Sequence, residues 1–181
     1  MKKHLLFIQG GGDEGYKTDT ELVASLQKAL GKEYAIHYPE LQSDESVSDF
    51  GWPQQIREKI AEIKHDVILA GHSLGASMLL KYLSENAVNK KITGVFLIAT
   101  PFWSGNEDWK QGLKLQDDFA DKLPDEMPMF FYQCRDDETV PFSHLNHYKQ
   151  KITQATFREI ASGGHQLNND LTLIANDIKT L

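Results

Sequence analysis

The fold of this chain is decided by the stretch Val67-Ile68-Leu69-Ala70-Gly71-His72-Ser73-Leu74-Gly75. Its leading apolar residues predict a short buried strand over 66–70, bounded by the glycine that follows. From Leu74 onward, apolar side chains recur at helical spacing and predict a helix that runs to Glu85. The chain must therefore change from strand to helix within a few residues of Ser73.

The residue types around Ser73 fit such a sharp turn and form the pattern G-x-S-x-G. A side chain at position 71 or 75 would collide with neighbouring backbone, so glycine occupies both positions. The turn lifts the Ser73 hydroxyl clear of the sheet and aims backbone N–H groups of the new helix at a reacting carbonyl oxygen. Ser73 is thus a candidate nucleophile. A glycine turn that holds a serine by chance is the alternative, and the flanking strand and helix disfavour it.

The rest of the chain alternates in the same way. Further apolar runs predict strands at 4–9, 34–38, 92–99, 127–133 and 155–160. Amphipathic spacing predicts further helices at 18–30, 53–64, 141–151 and 167–181. Segment 101–125 mixes aromatic and charged residues with glycine, and it predicts one or two short helices over a surface loop. Strands that are apolar on both faces and separated by helices favour one α/β domain over 1–181, with a parallel sheet covered on both sides.

Composition and charge narrow the class of protein. The 181 residues carry a net charge of −7 without a basic cluster, which disfavours nucleic acid as a partner. The apolar run at 5–8 is too short for a secretory leader, and no run approaches the roughly 20 residues of a membrane span. The single cysteine, Cys134, excludes an internal disulfide and suits a reducing compartment. We therefore expect a cytoplasmic protein that binds neither nucleic acid nor membrane.

A serine hydroxyl needs a base to accept its proton, and the later loops supply candidates. His165 follows two glycines after the last predicted strand, and Asp136 and Asp137 follow the fifth. Both loops leave carboxyl ends of parallel strands, where open α/β sheets build their sites. Neighbours in an extended loop point to opposite sides, so one of the two aspartates would face His165. The other would be solvated or paired with Arg135.

The remaining histidines are weaker candidates for chemistry. His72 is expected to pack beside the site, because it precedes Ser73 in the turn. His144 and His147 lie three residues apart on a predicted helix, a spacing that could bind a metal. No nearby carboxylate motif completes such a site, and we predict neither a metal nor a cofactor.

Several groups of residues make the chain similar to a known family. They are the first predicted strand with its glycines at 5–12, the turn at Ser73, the run Asp137-Glu138-Thr139-Val140-Pro141, which matches D-x-x-V-P, and Gly163-Gly164-His165. On these motifs the chain resembles the α/β-hydrolase superfamily, and within it the small serine hydrolases typified by retinoblastoma-binding protein nine. It departs from the family pattern at Gln9, where the family usually has histidine before the glycine.

The resemblance covers nearly the whole chain and has specific implications. It implies a single-domain α/β-hydrolase fold with six parallel strands in the order 2-1-3-4-5-6, helices on both faces and no large cap domain. It implies a triad of Ser73, Asp137 and His165, with the backbone N–H groups of Gly11 and Leu74 as the oxyanion hole. Segment 101–125 would be a short lid, whose aromatic residues would either line a substrate pocket or simply pack against the sheet: Phe102, Trp103 and Trp109.

The activity that the resemblance implies is hydrolysis of a small ester or thioester through an acyl-serine intermediate. Two other functions stay open. A hydrolase fold can act as a protein-binding module with little catalysis, in which case a protein partner is expected. The glycines Gly10, Gly12 and Gly15 also match the dinucleotide-binding pattern G-x-G-x-x-G. Asp13 and Glu14 would repel a pyrophosphate there, and the next helix is predicted to begin too late to face it.

Overall fold

A six-stranded parallel sheet forms the centre of the protein. The structure is a computed structural model that describes residues 2–103, 108–124 and 127–181. The strands are β1 (Lys3–Ile8), β2 (Tyr34–His37), β3 (Val67–His72), β4 (Ile92–Ile98), β5 (Met129–Cys134) and β6 (Thr156–Ile160). They lie in the order β2-β1-β3-β4-β5-β6, and every neighbouring pair is parallel. The predicted fold class and strand order are therefore confirmed.

Helices connect the strands and cover the sheet. They are α1 (Gly15–Thr18), α2 (Thr20–Leu30), α3 (Trp52–Glu62), α4 (Leu74–Glu85), α5 (Ser143–Lys151) and α6 (Thr172–Ile178). Short 3-10 helices at Asp108–Leu113 and Phe119–Lys122 lie within the segment predicted to carry one or two short helices. Within the described part of the chain, no helix is both long and apolar enough to cross a membrane.

The structure differs from two of the predicted helices. The helix expected at 18–30 is two helices, α1 and α2, so the helical region already begins at Gly15. The prediction of one helix over 167–181 is wrong at its start, where a 3-10 turn at Leu167–Asn169 precedes α6. The φ angles of Leu167, Asn168 and Asn169 are 48°, 50° and 53°. Such left-handed backbone cannot continue a right-handed helix.

The hydrophobic core lies in two layers, one on each face of the sheet. Along β3, Val67 and Leu69 belong to the layer that contains α3 and α4, whereas Ile68 and Ala70 belong to the layer that contains α2 and α6. Successive residues of a strand point to opposite faces, so a strand that is apolar throughout must be covered on both. This packing holds the carboxyl ends of the strands in fixed positions, and the loops that leave those ends form the site.

Candidate active site

Ser73 lies between β3 and α4 in a strained backbone conformation. Its φ of 52° and ψ of −122° fall in a region that residues other than glycine rarely adopt. A Cβ atom at position 75 would lie 2.2 Å from Gln9 O, and one at position 71 would lie 2.9 Å from Ala76 N. Any side chain at position 71 or 75 would therefore clash with backbone atoms, and only glycine fits at either position. The Ser73 N–H donates to Ile98 O at 2.8 Å, which anchors the turn to β4.

His165 and Asp137 form a hydrogen-bonded pair. His165 Nδ1 lies 3.0 Å from Asp137 Oδ2, and the Asp137 side chain is fully buried. The carboxylate also accepts the N–H groups of Thr139 and Val140, each at 2.8 Å, and the amide of Gln133 at 2.7 Å. Burial acts to raise the pKa of Asp137, but the hydrogen bonds outweigh it and hold that pKa below its ordinary value. An ionised Asp137 favours the tautomer of His165 that is protonated at Nδ1.

Asp136 has different contacts from its neighbour. It is exposed, as expected for the aspartate that does not face the histidine ring. Its carboxylate accepts the backbone N–H groups of Gly163 at 3.0 Å and Gly164 at 2.9 Å, and these bonds lower the pKa of Asp136. Arg135 pairs with Glu159. Asp136 therefore holds the backbone of the loop that carries the candidate base.

The glycine loop after β1 packs directly against the start of α4. A Cβ atom at Gly11 would lie 2.8 Å from Leu74 Cδ2, and one at Gly15 would lie 2.3 Å from Gly10 O. The two segments predicted to supply oxyanion donors are therefore in contact. The side chain of Gln9, which departs from the family pattern, accepts the Leu41 N–H at 2.9 Å and so holds this loop to the segment after β2.

The same loop disfavours nucleotide binding, although for a partly different reason than predicted. The expectation that the next helix begins too late is wrong, since α1 begins at Gly15. However, the Gly10 N–H already donates to Asp19 at 2.7 Å and is not available to a phosphate. Asp13 and Glu14 also place negative charge ahead of α1, where a pyrophosphate would need positive potential.

Ser73, His165 and the glycine loop line one cavity of about 810 Å³. Apolar side chains form much of its wall, among them Phe50, Phe102 and Trp103. The Phe102 ring also packs edge-on against Tyr148, and Trp103 Nε1 donates to Ser77 Oγ at 3.0 Å. Both aromatic residues thus line the cavity and pack against the core. The side chain of Trp109, the third aromatic residue predicted there, lies outside the described residues.

His144 is a lining residue that the sequence did not single out as part of the pocket. Its Nδ1 accepts the backbone N–H of Phe102 at 2.9 Å, which ties the residues after β4 to α5. Burial, and then the neighbouring His147, lower the pKa of His144. Over the described residues, no three His, Cys, Asp or Glu side chains converge as a metal site, so the His144 and His147 spacing forms none there.

A second buried carboxylate–histidine pair was not predicted. Asp19 Oδ2 lies 2.9 Å from Nδ1 of His72, the residue expected to pack beside the site, and both side chains are almost fully buried. Asp19 lies in the first turn of the helix predicted at 18–30, where an acidic residue is common. Its position in the sequence therefore does not indicate a partner 53 residues away.

Taken together, the parallel sheet in this strand order and the strained serine after β3 define the class of α/β-hydrolases. The family model described as Serine hydrolase matches residues 19–172. The chain belongs to this family, and the protein is therefore a hydrolase of the serine type. No curated protein matches its sequence.

Solved structures share the fold at low sequence identity. Est1E from Butyrivibrio proteoclasticus, in its structure with ferulic acid bound, is 15% identical and has a TM-score of 0.75 over 98% of this chain and 87% of that chain. SOBER1 from Arabidopsis thaliana is 17% identical, with a TM-score of 0.70 over 99% of both chains. The ydeN gene product from B. subtilis is 19% identical, with a TM-score of 0.65 over 99% of this chain and 98% of that chain.

Proposed function

We propose that the protein hydrolyses a small carboxylic ester through an acyl-enzyme intermediate on Ser73. One observation carries this proposal: the strained Ser73 and the Asp137-bound His165 open onto the same cavity. A serine held in that turn at a cost of backbone strain is typical of a nucleophile rather than of a packing residue.

In the proposed mechanism, His165 Nε2 takes the proton from Ser73 Oγ as that oxygen attacks the ester carbonyl carbon. The backbone N–H groups of Gly11 and Leu74 stabilise the oxyanion that forms, each by about 3–4 kcal/mol. His165 then protonates the leaving alkoxide, and the carbon–oxygen bond of the ester breaks. Water attacks the acyl-serine by the same steps and releases the acid. Asp137 keeps the His165 proton on Nδ1 and stabilises the imidazolium.

In the proposed cycle, a hydrogen bond forms between Ser73 Oγ and His165 Nε2. Among the described residues, His165 Nδ1 bonds to Asp137, whereas Nε2 forms no hydrogen bond. Catalytic hydrogen bonds are often long in a free enzyme and tighten when substrate binds. We therefore infer that Nε2 of His165 reaches Ser73 Oγ in the substrate complex.

The size and the apolar wall of the cavity favour a small substrate with an apolar acyl group. Its volume of about 810 Å³ lies in the range that holds a small organic ligand. Phe50, Phe102 and Trp103 offer apolar contact, and the ferulic acid bound to Est1E is an example of an aromatic acid in a related fold. Thioesters have the same carbonyl geometry, and we propose them as secondary substrates.

Turnover of a p-nitrophenyl ester tests the proposal. We expect Ser73→Ala to lower kcat by roughly 10⁴–10⁶-fold with the fold intact. Ser84→Ala is a matched control, because Ser84 is a buried serine on α4, the helix that follows Ser73, and its hydroxyl donates to Lys81 O. This control should keep its turnover. Retention of more than about a tenth of the activity in Ser73→Ala would exclude the mechanism, and an inert wild type would favour a protein-binding module.

A further inference from the structure

A second carboxylate–imidazole pair, almost fully buried, lies in the wall of the cavity that holds Ser73 and His165. Asp19 Oδ2 and His72 Nδ1 are 2.9 Å apart, and both side chains are 1% exposed. Asp19 directly precedes α2, a position where aspartate commonly caps free backbone N–H groups. Its side chain makes no capping hydrogen bond. The carboxylate is directed instead at groups in the loops that form the site.

The pair bridges the loops that follow β1, β3 and β6. Asp19 Oδ2 accepts the Gly10 N–H at 2.7 Å, and Asp19 Oδ1 accepts the side-chain amide of Gln166 at 3.3 Å. His72 Nε2 donates to the backbone carbonyl of His165 at 3.0 Å. The rings of His72 and His165 are 4.7 Å apart. The pair therefore holds three parts of the site. Asp19 binds Gly10, next to the proposed oxyanion donor Gly11, and His72 directly precedes Ser73 and binds the backbone of His165.

Both ring nitrogens of His72 are used by this network. Nδ1 faces Asp19 Oδ2, and Nε2 faces the backbone carbonyl oxygen of His165. Burial acts to raise the pKa of Asp19, but the bonds from His72, Gly10 and Gln166 outweigh it and hold that pKa below its ordinary value. A buried carboxylate with a polar partner is often no more stabilising than apolar side chains of the same size. Stability alone therefore does not account for the pair.

We propose that Asp19 and His72 are positioning residues that set the spacing between the oxyanion donor Gly11, the nucleophile Ser73 and the base His165. This inference rests on the proposed function, since it assigns the pair to the chemical step of that reaction. Asp137 orients the ring of His165, whereas His72 holds its backbone. Because both side chains are 1% exposed, this role acts through the backbone that the pair holds.

Removal of the pair should affect chemistry more than binding. A displacement of about 1 Å at a reacting group can cost on the order of 10²-fold in rate. We expect Asp19→Asn and His72→Gln to lower kcat for a p-nitrophenyl ester by about 10–100-fold, with KM within about twofold of wild type. Because the two side chains act as a unit, the double variant should lose less than about threefold beyond the worse single variant.

Asp177→Asn is the matched control. Asp177 is also a largely buried aspartate, and it pairs with Arg158 and accepts the Tyr132 hydroxyl at 2.7 Å, but it does not line the cavity. We expect this variant to lower the Tm and to leave kcat within about twofold of wild type. Hydrogen exchange provides a second readout that needs no turnover: exchange of segments 9–12 and 163–167 should rise in the Asp19 and His72 variants and stay unchanged in Asp177→Asn.

The outcomes separate this proposal from the proposed function. If Asp19→Asn and His72→Gln lower only the Tm, with kcat and loop exchange unchanged, the pair is structural and the positioning role is excluded. If both variants fail to fold, Gln166→Ala removes one bond to Asp19 and should lower kcat several-fold, and an unchanged kcat would overturn the proposal. An inert wild type, or full turnover in Ser73→Ala, contradicts the proposed reaction instead. Loop exchange then still decides whether the pair holds the loops.

Discussion

Asp136 and Asp137 are neighbours in the chain but hold different parts of the same loop. Asp137 is buried against the His165 ring, whereas Asp136 is exposed and accepts the N–H groups of Gly163 and Gly164. A carboxylate that accepts from the ring can fix its tautomer, and one that accepts from the backbone can only fix the position of the loop. The two residues should therefore differ sharply in their effect on activity.

We predict that Asp137→Asn lowers kcat on the order of 10⁴-fold, because an amide there favours the wrong tautomer of His165. Asp136→Asn should lose less than about tenfold, since its remaining oxygen can still accept a backbone N–H. Steady-state kinetics of the two purified variants on one p-nitrophenyl ester make the comparison. The reverse ranking would identify Asp136 as the acid of the triad, and full activity in both would exclude this loop as its source.

The residues of the proposed triad could be singled out from the sequence because each follows a strand in chain order. Ser73, Asp137 and His165 come after the third, fifth and sixth predicted strands, so a parallel sheet brings their loops to one edge. Asp19 offers no such pattern, since it lies within the helix predicted at 18–30 and its link to His72 depends on tertiary packing. The choice of Asp137 over Asp136 required either the family resemblance or the structure, because the spacing alone admits both.

At the level of the elements, the turn between β3 and α4 depends on Gly75. We predict that Gly75→Ala destabilises the protein by about 1–3 kcal/mol and lowers activity, because the added methyl group would push against Gln9 O and displace the glycine loop. Gly31→Ala is the control, since Gly31 ends α2 in open space with a φ of 79°. It should lose stability through backbone strain and keep its kcat. Equal kcat in the two variants would contradict this account of the turn.

The C-terminal helix shows where periodicity misleads. Leu167, Leu171, Ile174 and Ile178 are spaced by four and three residues, and all of them are buried. The apolar spacing therefore continues across the 3-10 turn, although the backbone does not. Asn168 and Asn169 were the available signal, because asparagine tolerates the left-handed conformation that they adopt. The burial of these apolar residues was therefore predictable from their spacing, but the positive φ angles at 167–169 were not.

Trp103, which lines the cavity, leads to a prediction about acyl-chain preference. We expect Trp103→Ala to shift the preference among p-nitrophenyl esters towards longer acyl chains, because it removes an aromatic wall of the cavity. Trp103→Phe should keep most of the wild-type preference, although it loses the hydrogen bond to Ser77. Ratios of kcat/KM across a series of chain lengths measure the effect. A lower Tm with an unchanged preference would show that Trp103 only packs against the core.

On the scale of the whole molecule, the sheet explains why the fold was predictable and the cavity was not. Every residue of β3 is buried, and that double-sided burial is visible in the sequence as the apolar run at 67–70. The shape of the cavity depends on residues from several separate loops, including Phe50, Phe102 and His165. These loops have no periodicity, and their positions follow from tertiary contacts such as the bond between Phe102 N–H and His144.

The central claim is that Ser73 forms a covalent acyl intermediate, and a fluorophosphonate probe tests it most directly. The probe reacts with an activated serine and leaves a stable phosphonyl group on its oxygen. Intact mass spectrometry should show one adduct per chain, and peptide sequencing should place that adduct on Ser73. Ser73→Ala should stay unlabelled, and Ser84→Ala should react like the wild type. An adduct on another residue, or no adduct on the folded wild-type protein, would contradict the account.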